Sequence, residues 1–105
     1  MKYLLELAKR NIEPTLTKQG EQAWHIVDVP VVLESIFAHS LIVLGGDILN
    51  SEMEYTYDSW YHNIDRSLSK SLNVEKSFDT AQEYIQKYIN WNGESYFVVL
   101  IVSGD

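Results

Sequence analysis

With 105 residues, no cysteine and a formal net charge of −7, the chain is long enough for one domain with its own core and carries neither disulfides nor thiolate metal sites. Its 46% hydrophobic content argues against disorder. The eight basic residues, scattered as Lys2, Lys9, Arg10, Lys18, Arg66, Lys70, Lys76 and Lys87, argue against direct binding of nucleic acid or an anionic membrane.

The segment Tyr3 to Arg10 reads as a short helix, too charged for a signal peptide, and no window reaches membrane-spanning length. A cytoplasmic protein forming a single domain over 1–105 is therefore expected. Pro14 and Gly20 bracket a loop, and Ala23 to Val27 suit a brief strand. Asp28-Val29-Pro30 is a helix start, with proline in the first turn where its missing N–H costs nothing, and the helix should run to about Ala38. Leu41 to Leu44 is a compact apolar run suited to a strand. Gly45-Gly46 then permits a bulge or the close approach of another backbone, and Asp47 is read as bonding local backbone N–H groups.

Asn50-Ser51-Glu52 signals a turn, after which Glu54 to His62 alternates as a second strand, so that 41–62 forms a hairpin. Alternation puts Tyr55, Tyr57, Ser59 and Tyr61 on one face and Glu54, Thr56, Asp58, Trp60 and His62 on the other. The polar neighbours of Trp60 favour the exposed face for it and the core face for the tyrosines. Asp65 to Lys76, polar and serine-rich, reads as a loop. A helix should begin at Ser77, with Phe78, Ala81, Ile85, Tyr88 and Ile89 inward, Trp91 packed at its end and Gly93 as its stop. Ser95 to Val102 is apolar on both faces, which marks a central strand covered on both sides. The order predicts an α+β fold: a mostly antiparallel sheet, made of the hairpin and a central strand at 95–102, with two to three helices packed on it.

From Lys18 to Arg66 no lysine or arginine intervenes, while Glu21, Asp28, Glu34, Asp47, Glu52, Glu54, Asp58 and Asp65 all fall there. Acids supply long-range attraction and aromatic rings supply contact area, so Asp47, Glu52, Glu54, Asp58, Trp60 and His62 are the candidate partner-binding residues. The solvated-acid, aromatic-core interpretation stands beside it. A metal or catalytic site is not indicated. Asp58 and His62 lie about 13 Å apart along a strand at roughly 3.3 Å per residue. His25 and His39 have no close partner in sequence, and no phosphate loop or nucleophile elbow occurs.

Leu44-Gly45-Gly46-Asp47-Ile48, Tyr57-Asp58-Ser59-Trp60-Tyr61, a helix over 81–88 and a final apolar strand together resemble immunity family forty. These are small α+β proteins of bacterial polymorphic toxin systems. The resemblance covers residues 28–102, and Gly45, Gly46, Asp47, Asp58, Trp60 and Tyr61 match its motif, as fold or contact residues. Ser59 departs from it, where asparagine is more frequent. The resemblance implies a protein that neutralises a cognate toxin by binding it, with no cofactor and no chemistry of its own. Many such toxins are nucleases, whose substrate clefts are basic, and an acidic surface can fill such a cleft. Two other readings remain open: a different interaction module, including a homo-oligomer through the sheet edge, and a small enzyme in which Asp47, Asp58 or a histidine converge in a closed pocket.

Overall fold

The computed structural model describes residues 1–103. Three helices, α1 (Lys2–Lys9), α2 (Val29–Ala38) and α3 (Lys70–Asn92), pack on a five-stranded sheet. Its strands are β1 (Thr15–Leu16), β2 (Gln22–His25), β3 (Ile42–Leu49), β4 (Tyr55–Tyr61) and β5 (Phe97–Ser103). Every strand pair is antiparallel and the order is β1-β2-β5-β3-β4, so β5 is central and β4 forms an outer edge. The fold is α+β, as the element order predicts.

Local chemistry accounts for most element bounds. Helix α2 opens through a 3-10 turn over Ile26–Asp28 and takes Pro30 in its first turn, with Val29, Val32, Leu33 and Ile36 inward. Helix α3 starts at Lys70, seven residues before the serine predicted to begin it. Ser69 caps it by accepting from the Leu72 amide at 3.1 Å. Buried Asn73 then stitches the preceding loop down, donating to Asp65 O and Ser69 O and accepting from the Asp65 amide. Ser77 instead sits fully buried within the helix. Its hydroxyl accepts from the Val43 amide at 3.1 Å and donates to Val74 O at 2.9 Å, tying α3 to β3.

The core lies on one side of the sheet. Tyr3 and Leu7 of α1, the inward residues of α2, and Ala81, Ile85 and Tyr88 of α3 form one cluster with Trp24, Val43, Ile48, Trp60 and Val98 of the strands. The alternating strand residues Ala23, Leu49 and Val99 form a small separate cluster with Met53 and Phe97, to which no helix contributes. The expectation that the last strand is covered on both sides therefore fails. Helices cover one face of β5, and short apolar side chains of the sheet itself shelter part of the other. Ile101, on that second face, remains exposed.

The double glycine does produce an irregularity. The β3–β5 register shifts between Val43 and Gly45. Gly45 adopts φ +151, where side-chain-bearing residues rarely go, and a Cβ there would stand 2.2 Å from Trp60 O. At Gly46 a Cβ would meet the Trp60 ring at 2.5 Å, so the bare backbone is the floor on which the indole rests.

Candidate functional site

Strand β4 decides where the sequence-predicted residues lie. Trp60 pairs with Gly46, which pairs with Leu100, and this row faces the helices. The indole is 6% exposed and stacks on Tyr84 of α3, ring centroids 4.8 Å apart. The expected exposure of Trp60 is thus reversed, and so is that of the tyrosines, since Tyr61 is 76% exposed and Tyr57 94%. The period of two holds; the helices lie on the other side. Both the Trp60 Nε1 and the His62 Nε2 atoms are buried without a hydrogen-bond partner among the described residues.

Tyr57 owes its exposure to a bulge. Asp47 pairs with Ser59 and Leu49 with Tyr55, so four steps of β4 run against two of β3. The surplus sits at Thr56–Asp58. Thr56 Oγ1 donates to Ile48 O at 2.9 Å and accepts from the Asp58 amide at 3.2 Å, while Tyr57 takes the left-handed φ of +72. Asp58 is turned towards α3, where its Oδ2 accepts from the Tyr88 hydroxyl at 2.8 Å.

The face without helices carries Tyr61, Gly45 and Ile101 in one row and Ser59, Asp47, Val99 and Ala23 in the next. The Asp47 carboxylate accepts no hydrogen bond among the described residues, contrary to the local bonding expected of it; it stands half-buried in this face. Glu52 and Glu54 rim the hairpin end. Asn50 Oδ1 accepts from both their amides, and its Nδ2 donates to Glu54 Oε1 at 3.1 Å. Tyr55 donates its hydroxyl to Glu21, a bond that joins β4 to the β2 end of the sheet with β3 and β5 between them.

None of the five strands contains a lysine or arginine. Lys2, Lys9, Lys70, Lys76 and Lys87 belong to α1 and α3. The strands are thus free of positive charge, with Glu21, Asp47, Glu52 and Glu54 on or beside them, while Lys18 lies in the β1–β2 connection and the helices carry Glu6, Glu34, Glu75, Asp79 and Glu83 as well as their lysines. Asp47 and Asp58 face opposite sides of the sheet, and among the described residues no three His, Asp or Glu side chains form a metal-binding group. No described helix is long and apolar enough to cross a membrane.

Two tyrosine–carboxylate bonds hold this region together. The bond to Glu21 pushes the Tyr55 phenol up to about 12, and burial followed by the Asp58 bond pushes Tyr88 to about 12. A raised folded value means that the native state keeps these protons after the unfolded chain has lost them. Their contribution is complete below about pH 10 and disappears as pH rises towards 12. The urea midpoint should fall across that window, and the fall should be shallower in a Tyr55→Phe, Tyr88→Phe double variant.

The sequence model of the family described as Immunity protein 40 matches residues 6–102, which takes in all three helices from Glu6 onward and every strand. The chain belongs to the Immunity protein 40 family. The match begins well before residue 28, so the second half of α1, β1 and β2 fall within the matched region. No curated protein and no solved structure matches the chain. As a member of an immunity family it has the role of an immunity protein, which implies a cognate toxin as partner.

Three aromatic residues are more exposed than the sequence suggests, Tyr57 and the motif residue Tyr61 on β4 and Trp91 at the end of α3. Alternation places Tyr57 and Tyr61 on the core face, and Trp91, expected to pack, is 87% exposed. The signal for Trp91 was present: it follows Asn90 and precedes Asn92 and Gly93, at the last turn of α3, where little remains to pack against.

Proposed function

We propose that the protein neutralises its toxin by direct binding, without chemistry of its own, through the helix-free face and the outer strand β4. The supporting observation is a sheet with no basic residue on any strand, which exposes Tyr57 and Tyr61 among Asp47, Glu52, Glu54 and Glu21. Such a face fits a basic partner, because opposite fields steer encounter and aromatic side chains supply the anchoring area. A toxin with a basic substrate cleft, as in a nuclease, has the matching charge. The total accessible surface is 6463 Å² and a standard interface takes about 800 Å² per partner, so one face of this size is sufficient.

The test is calorimetric binding to the cognate toxin domain, for which the neighbouring genes are the first candidates. Tyr57→Ala and Tyr61→Ala, both at exposed positions, should each weaken the complex by about 10-fold or more while the urea midpoint stays unchanged. Asp47→Lys and Glu54→Lys should lower the association rate and its salt dependence. Unchanged affinity in all four folded variants would remove this face from the interface.

A further inference from the structure

On the opposite flank of β4 lies a groove of about 490 Å³, lined by Asp58, Tyr84, Lys87, Tyr88, Trp91 and Asn92. We propose that it is a cradle for the guanidinium of an arginine side chain presented by the partner. Tyr84, Tyr88 and Trp91 recur at four- and three-residue spacing, which places three rings in a row along one face of α3. The Tyr84 and Tyr88 rings are 6.1 Å apart and nearly parallel, at 24°. Trp91 ends the row almost fully exposed, and the core gives no reason for it.

The walls are fixed before any ligand arrives. Tyr84 is stacked on Trp60, and Tyr88 is held by its bond to Asp58 and by edge contact with Tyr96 at 5.2 Å. A rigid site loses less conformational freedom on binding. Asp58, which lines the groove, commits Oδ2 to the Tyr88 hydroxyl, while Oδ1 has no hydrogen-bond partner among the described residues. A carboxylate beside aromatic faces calls for a cation. A planar guanidinium suits it better than an ammonium, since it can stack on the exposed Trp91 ring, with the edges of the tyrosines as walls, while donating in-plane to the carboxylate. The groove's own cation is already engaged: Lys87 lines it, but its Nζ is bonded to Glu83 Oε1 at 2.8 Å.

The partner's identity rests on the toxin reading, whereas the chemistry of the cradle does not. N-acetyl-L-arginine N-methylamide is therefore titrated into isotope-labelled protein, following the Trp91 indole N–H by NMR, with the uncharged citrulline analogue as control. A saturable shift in the millimolar range is expected, with about 10-fold or weaker response to citrulline. Asp58→Asn, which can still accept from Tyr88, should abolish the shift, and Lys87→Gln should tighten it by roughly two-fold or more through removal of a like charge. Absence of saturation, or an equal response to citrulline, overturns the cradle. Neither result touches the toxin reading, which stands or falls on Tyr57 and Tyr61.

Discussion

Trp60→Ala should destabilise the protein by about 3–5 kcal/mol, the range for removing a large aromatic from a core. The indole is fixed between the Tyr84 ring and the bare backbone of Gly46, and neither can move in to fill the space it leaves. Its N–H has no hydrogen-bond partner among the described residues, so the loss is one of packing. Tyr84 would lose its stacking partner as well. Urea unfolding followed by circular dichroism measures the effect. A variant with unchanged midpoint and weakened toxin binding would return Trp60 to the surface and refute the layer assignment.

Gly45→Ala is expected to cost about 2–4 kcal/mol, although it adds a single methyl group. Two penalties combine. The new Cβ would meet Trp60 O at 2.2 Å and Trp60 C at 3.2 Å, both main-chain atoms of a paired strand that cannot swing aside. The backbone would also have to hold φ +151 with a side chain attached, a conformation worth about 1–3 kcal/mol of strain. Relief requires β3 and β4 to separate, so amide exchange at Tyr61 and Trp60 should accelerate together with the fall in midpoint. Alanine at Gly20, where nothing lies within 4 Å but φ is +82, should cost less, since it carries a positive-φ penalty without a clash.

These two glycines show what a single sequence makes legible. Gly45-Gly46 announced a bulge or a close approach, and the structure has both. Pro30 marked the start of α2, and the unbroken apolar run of β5 marked the centre of the sheet. Alternation along β4 gave the period but not the sign. Which face meets the helices depends on α3, distant in the chain, whose Tyr84 receives Trp60. The polar neighbours that suggested exposure are accommodated locally, Thr56 by its bond to Ile48 O and Asp58 by Tyr88. The first two turns of α3 were hidden for a related reason. Ser67, Ser69, Ser71 and Ser77 are all plausible caps by composition, and only Asn73, anchoring the loop from Asp65 onward, selects Ser69. The acid-rich stretch from Lys18 to Arg66 was legible as charge, yet only the structure shows that Asp47 and Asp58 alone of its acids lie on strands, on opposite faces, and that no strand carries a basic residue.

The kink at Thr56–Asp58 has a further effect on how copies of the molecule treat one another. An outermost strand with a regular row of free amides and carbonyls invites a neighbour to zip alongside, and chains of such contacts grow into fibrils. Here the row is interrupted at mid-length and Tyr57 juts out at the break, so no neighbour can pair along the whole strand. Continuous rim-to-rim polymerisation along this strand is thereby disfavoured.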